Sequence, residues 1–216
     1  MSRLPKILFF GLLVKPLVFV GLGLNLFFRE RLPRTGPAVL AANHNSHLDT
    51  MVLMSLYPLA HIHRVRPVAA ADYFLSNRLL AWFSLNVIGI IPISRNKGAG
   101  QSALFDECEQ ALDCGDILIL FPEGSRGNPE QMGEMKRGIY HLIKNRGSTP
   151  VIPVVMYGLG RALPKGEALL VPFNCDVVIG DRVPYSCDAH EYVGRLSLAF
   201  KDLLQLCLTR QIVDEQ

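Results

Sequence analysis

The chain has 216 residues, half of them hydrophobic and only 19% charged. That is too short for two large domains and too apolar for a disordered chain, which leaves one globular core. Eighteen Gly and 14 Pro are ordinary densities, so collagen-like, linker-like and low-complexity readings fail. The formal net charge of +3 is unevenly placed. Within residues 1–34, Arg3, Lys6, Lys15, Arg29, Arg31 and Arg34 face Glu30 alone, so this head carries +5 and the remainder −2. A basic, apolar head points to an anionic lipid surface, where each basic side chain contributes about 1 kcal/mol. Nucleic acid is excluded as a partner, because the body carries no stripe of Lys and Arg interleaved with aromatics. The five cysteines show neither CxxC pairing nor Cys/His spacing, so no metal site is expected. They read as reduced, partly buried thiols facing a cytosol-like compartment.

From Ile7 to Phe28 the chain is apolar except for Lys15 and Asn25. A bilayer span needs about 20 apolar residues in one helix. Lys15-Pro16 divides this run into Ile7–Val14 and Leu17–Phe28, each too short to cross alone, and proline breaks or kinks the helix there. The run leads into Phe27-Phe28-Arg29-Glu30 instead of a small-x-small cleavage site, so the segment is expected to stay in the mature protein. Residues 1–34 therefore read as a helical anchor dipping into one leaflet, its basic ends at the head groups, in preference to a kinked transmembrane helix or a core helix. Residues 35–216 form the folded domain.

After Pro37 short apolar runs alternate with longer mixed stretches, the pattern of β-α-β units. Strands are predicted at Val39–Asn43, Pro67–Ala71, Val87–Ile93, Ile117–Phe121 and Val151–Tyr157, with a terminal strand pair at Leu169–Val171 and Asp176–Ile179. Helices are predicted at Leu48–Leu59, Tyr73–Leu85, Gln101–Leu112, Arg137–Lys144 and Tyr192–Thr209. The runs are apolar throughout, as in strands covered on both faces. The fold class is α/β, a mixed and mostly parallel sheet flanked by helices, and its ligand belongs beyond the carboxyl ends of the strands.

The first predicted strand runs into Asn43-His44-Asn45-Ser46-His47-Leu48-Asp49. Ser46-x-x-Asp49 fits a capping box. With Ser46 as cap, His44 lies just before the helix and Asp49 in its first turn, so the two can meet. An Asp on one imidazole nitrogen fixes the tautomer and leaves the other as a base. There is no GxSxG elbow and no cysteine near His44 in sequence, so no protein nucleophile is evident. A base of this kind activates an incoming hydroxyl. A second strand ends in Phe121-Pro122-Glu123-Gly124-Ser125-Arg126-Gly127, where glycine lets backbone amides approach an anion and arginine offers a fork to phosphate. Ser94-Arg95, Lys97 and Lys136-Arg137-Gly138 add cations that can converge on the same anion. Gly98-Ala99-Gly100-Gln101-Ser102-Ala103 matches GxGxxA, but Ser94 to Lys97 separate it from its strand, which argues against a dinucleotide site.

Together these segments resemble the glycerolipid acyltransferase family typified by 1-acylglycerol-3-phosphate acyltransferases. Asn43-His44-x4-Asp49 is similar to its NHx4D motif and Phe121–Arg126 to its FPEG[TS]R motif. Gly89–Arg95 and Val151–Val154 stand where the second and fourth motifs fall. The resemblance implies that a fatty acyl chain passes from acyl-coenzyme A or acyl carrier protein, with no other cofactor, to the free hydroxyl of a lysophospholipid, foremost 1-acylglycerol-3-phosphate. His44 is then the general base oriented by Asp49, and no acyl-enzyme forms. Arg95, Glu123, Gly124, Ser125 and Arg126 form the acceptor site, with the arginines on phosphate and Glu123 near the glycerol. It also implies a membrane-associated enzyme whose site faces the cytoplasm, at the inner membrane in a bacterium. Two alternatives stay open: the same transfer to another lysolipid, such as a lyso-ornithine lipid or lysocardiolipin, and a non-catalytic lipid-binding protein of the same fold.

Overall fold

The computed structural model describes residues 3–46, 48–94, 104–125, 127, 131–162 and 174–210. Seven strands, β1 (Gly23–Phe27), β2 (Ala38–Ala42), β3 (Val65–Ala70), β4 (Ile91–Ile93), β5 (Ile117–Leu120), β6 (Val151–Tyr157) and β7 (Asn174–Ile179), form one sheet in the order β1-β7-β6-β2-β5-β3-β4. Neighbours run parallel except β6 and β7, which are antiparallel. The helices are α1 (Leu4–Gly21), α2 (Leu48–Ser55), α3 (Ala71–Phe74), α4 (Arg78–Ile88), α5 (Asp106–Asp113), α6 (Gly138–Ile143), α7 (Leu159–Ala162) and α8 (Ala189–Gln205).

The three central strands are buried along their whole length, which is why their sequences are apolar runs without alternation. Successive side chains still divide between the two faces. Leu40, Ile119 and Val154 pack with Phe10 and Val14 of α1 and Val52 and Leu53 of α2. Val39, Leu118 and Val155 pack on the other face with Leu112 of α5, Leu142 of α6 and Tyr192, Leu196 and Phe200 of α8. The result is three layers. Helix α8 begins where the Asp188 carboxylate accepts the Glu191 N–H at 2.6 Å, and it buries Tyr192, Leu196, Phe200 and Leu203 at helical spacing.

Three sequence expectations change. The predicted strand Val87–Ile93 is helical as far as Ile88, then turns at Gly89 with φ of 76°, and only Ile91–Ile93 is a strand. A short apolar run does not distinguish a buried strand from a buried helix end, and here a left-handed glycine ends the helix. The predicted helix Tyr73–Leu85 is divided, because Asn77 caps a new helix by accepting the Leu79 N–H at 2.8 Å. In the head, α1 does not break at Lys15-Pro16: it widens into π-helical turns over Phe10–Val14 and Leu17–Gly21, a register that accommodates the missing proline N–H. The rest of the apolar run is β1, paired with β7 from Gly23 to Phe27, so the sheet starts well before the boundary expected at residue 34. Leu169–Val171 and the GxGxxA stretch lie outside the described residues.

The direction in which α1 faces is also unexpected. Lys6, Phe10, Val14 and Val18, spaced by four, are buried, whereas Leu4, Leu8, Leu12, Leu13 and Val20 are exposed. The cations turn inward: Lys6 Nζ donates to the Val65 carbonyl at 2.9 Å and Lys15 Nζ to the Ser55 carbonyl at the end of α2 at 2.7 Å. Arg29 reaches the Leu56 carbonyl and Arg31 pairs with Asp181 at 3.2 Å. These four basic side chains are bound to the protein body, not displayed at head groups as expected.

Strand β1 and the segment after α8 meet at one carboxylate. Asp176 of β7, fully buried, accepts from Asn25 Nδ2 of β1 at 2.8 Å and from the Thr209 N–H beyond α8 at 2.6 Å. Asp176→Ala strands both donors, so urea unfolding followed by circular dichroism is expected to show a loss of about 1–3 kcal/mol with an unchanged m-value.

Candidate active site

Strand β2 ends at Ala42, and the next residue continues its pairing with a side chain. The Asn43 amide accepts the Met156 N–H at 2.7 Å and donates to the Met156 carbonyl at 2.8 Å, so the turn stays registered to β6. Ser46 then caps α2 by accepting the Leu48 N–H at 3.3 Å, and Asp49 Oδ2 returns a bond from the Ser46 N–H at 2.9 Å. Asp49 thus returns the bond expected of a capping box, while the Ser46 hydroxyl caps the helix on the Leu48 N–H. The same Oδ2 accepts the Asn45 N–H at 2.7 Å and lies 2.9 Å from His44 Nδ1. Asp49 is fully buried, and the amides of the turn and the start of α2 stabilise its charge. A carboxylate on Nδ1 sets the proton there and leaves Nε2 as the basic nitrogen. The His44 ring stacks on Phe121 with centroids 4.1 Å apart and planes inclined by 20°.

Strand β5 lies beside β2 in parallel register, with Ala41 opposite Leu120, so the loop after β5 emerges next to the His44 turn. Glu123 of that loop is buried. Its Oε1 accepts the His44 N–H at 2.8 Å and its Oε2 the Gly133 N–H at 2.8 Å, while the Gly127 N–H donates to the His44 carbonyl at 3.2 Å. Both backbone groups of His44 are therefore tied to the second loop. The oxygens of Glu123 thus hold two backbone segments together, and the residue is not among those that line the cavity. Gly133 owes its identity to that contact, since a β-carbon there would sit 2.8 Å from Glu123 Oε2. Gly124 has φ of +73°, and a β-carbon there would meet Lys136 Nζ at 2.9 Å.

His44 opens into a cavity of about 920 Å³. Gly124, Ser125 and Lys136 share its polar lining, and Phe9 of α1, Phe74, Ile88 and Phe105 are among its apolar walls. The volume suits a lipid-sized ligand. Of the residues expected at the site, the structure brings together His44, Asp49, Glu123, Gly124 and Ser125, while Arg95 and Arg126 lie outside the described residues, as do His47 and Lys97. Among the described residues no group of three His, Cys, Asp or Glu side chains could hold a metal ion. Sequence reasoning missed the stacking of Phe121 on His44, the Asn43 bridge and the amide-holding role of Glu123. Their signal lay in the juxtaposition of two loops, which follows from strand order.

These features define an α/β protein with a carboxylate-paired histidine at a strand-to-helix turn, facing a largely apolar cavity whose lining includes a lysine. The family described as Acyltransferase matches residues 24–157, and the chain belongs to that family. It is similar to a chloroplastic 1-acyl-sn-glycerol-3-phosphate acyltransferase of Arabidopsis thaliana, 28% identical over 158 residues, covering 72% of this chain and 42% of that protein. It is similar also to the 1-acyl-sn-glycerol-3-phosphate acyltransferase alpha of Mus musculus, 30% identical over 152 residues, covering 68% of this chain and 50% of that protein. The chain thus spans about half the length of the curated relatives it matches. Its fold is that of the 1-acyl-sn-glycerophosphate acyltransferase PlsC from Thermotoga maritima, with a TM-score of 0.71 at 16% identity over 95% of this chain and 82% of that one.

Glu123→Gln replaces one acceptor with an amide NH2 set against a backbone donor. Hydrogen exchange by mass spectrometry is expected to quicken about tenfold or more at His44 and Gly133, the equivalent of about 1.4 kcal/mol, and to stay unchanged in β5.

Proposed function

We propose that this chain transfers a fatty acyl group from a thioester donor, acyl-coenzyme A or acyl carrier protein, to the free hydroxyl of 1-acylglycerol-3-phosphate, giving phosphatidic acid. The observation that carries the reading is the His44–Asp49 pair, 2.9 Å apart, with His44 open to a largely apolar cavity and Asp49 buried behind it. The names of the relatives supply the acceptor. In the reaction, Nε2 of His44 takes the proton of the acceptor hydroxyl as its oxygen attacks the thioester carbonyl. The new C–O bond forms, the C–S bond breaks, and the departing thiolate takes the proton back from the imidazolium. Asp49 holds the ring and stabilises its charged form, and general-base assistance of this kind is worth about 10²–10⁴ in rate. Lys136, with Arg95 and Arg126, binds the phosphate. The apolar walls take an acyl chain, at about 0.8 kcal/mol for each buried methylene.

The substrate is a membrane lipid, and α1 suits delivery from a leaflet. A surface helix in water turns its leucines inward and its lysines outward; α1 does the reverse. It is 18 residues long and apolar enough to cross a membrane by length and composition. Its packing on the body from Lys6 to Val18 supports a helix lying along one leaflet, and the proposal puts that leaflet on the cytoplasmic side.

The test is transfer of labelled acyl groups to 1-acylglycerol-3-phosphate in detergent micelles, beside a lysolipid without a phosphate monoester, with acyl-coenzyme A and acyl carrier protein donors in turn. His44→Ala is expected to lower kcat at least a hundredfold. Lys136→Ala is expected to raise the KM of the phosphate acceptor about tenfold or more, since a charged contact is worth about 1.5–3 kcal/mol. Full activity of His44→Ala, or absence of transfer from both donors, overturns the proposal. In vesicle co-sedimentation, Leu8→Glu with Leu12→Glu is expected to release the protein into the supernatant, and undiminished binding counts against α1 as the anchor.

A further inference from the structure

We infer that α4 is a second membrane-inserting element, a lipid-facing wedge beside α1 at the rim of the cavity. This rests on the reading of α1 as a leaflet-bound helix, and it assigns lipid contact to residues far from α1 in sequence. Helix α4 has six α-helical and five π-helical residues, about 16 Å in length and too short to cross a bilayer. Its inner face is already occupied. Ser84, Val87 and Ile88 are buried, and Phe83 meets Phe9 of α1 edge-on with centroids 5.1 Å apart. On the opposite face stand Leu79 and Trp82, three residues apart and 80% and 58% exposed, preceded by exposed Tyr73 and Leu75. Large apolar side chains held so fully in water are out of place on a soluble surface.

A lipid leaflet is the occupant for three reasons. Helix α4 packs beside α1 through the Phe9–Phe83 contact, so exposed Leu79 and Trp82 stand on the neighbour of the helix that exposes Leu4, Leu8 and Leu12. Trp and Tyr are the residues that favour the head-group boundary, having an apolar ring with a polar edge, and the exposed Arg78 at the start of α4 supplies a cation beside them. Phe9, Tyr73, Phe74 and Ile88 all line the cavity, and Tyr73 is at once lining and half exposed. The seam between α1 and α3–α4 is thus the rim at which a lipid leaving the leaflet reaches His44. Seating both helices in the same leaflet places that rim below the head groups.

Trp82 is the sole tryptophan of the chain, so the native protein carries its own probe. The full chain is mixed with vesicles of phosphatidylcholine and phosphatidylglycerol, and its emission is recorded with lipids brominated along the acyl chain. A blue shift on binding and quenching by the brominated lipids are expected. Leu79→Glu is expected to weaken vesicle binding about tenfold, equal to 1.4 kcal/mol, with an unchanged circular dichroism spectrum. Co-sedimentation with emission unshifted and unquenched overturns the wedge while leaving α1 as the anchor. Failure to co-sediment overturns both. A blue shift without lipid that grows with protein concentration assigns the face to a second copy and overturns the wedge.

Discussion

The position of His44 depends on two buried carboxylates whose charge is met by backbone amides. An ionised carboxylate placed in a protein interior without partners is strongly unfavourable. Asp49 gathers the Asn45 and Ser46 amides and the His44 imidazole on one oxygen, and its Oδ1 has no partner among the described residues. Glu123 gathers the amides of His44 and Gly133. One acid therefore fixes the ring of His44 and the other its backbone. In the proposed reaction the base is thus held through Nδ1 and its backbone, which leaves its outer nitrogen for chemistry. Such a preorganised group needs little rearrangement when a hydroxyl arrives.

The sheet makes this arrangement possible. Parallel order places β6, β2 and β5 side by side, so three strand ends release their loops at one edge. Asn43 joins the first loop to β6, and Glu123 and Gly127 join it to the loop after β5. Within the loop after β5, Gly124 takes the positive φ of 73° that favours glycine, and a β-carbon at Gly133 would press on Glu123 Oε2. Two of the polar motifs in the sequence are thus halves of one hydrogen-bonded unit.

Helix α1 joins that unit to the outer surface of the fold. Its inner cations close on carbonyls of β3 and of the end of α2, where Lys15 also meets the negative end of the helix dipole. With its charges satisfied by the protein, α1 turns only apolar side chains outward, and Phe9 from its inner side reaches the cavity. The helix is therefore a wall of the cavity as well as an outer surface.

Much of this was legible in the sequence. Apolar runs marked the buried strands, Ser46-x-x-Asp49 marked the start of α2, and the five-residue spacing of His44 and Asp49 brought them together because a helix cap intervenes between them. These are local patterns, set by capping chemistry and by which side chains avoid water. Tertiary structure decided the rest. Gly23–Phe27 became a strand because β7 offered an edge, Lys6 and Lys15 turned inward because carbonyls awaited them, and Glu123 became a brace because β5 lies next to β2. Each of these depends on a partner 40 or more residues away in the chain. Local sequence determined which residues stand at the candidate site, whereas the order of strands in the sheet determined which groups they meet.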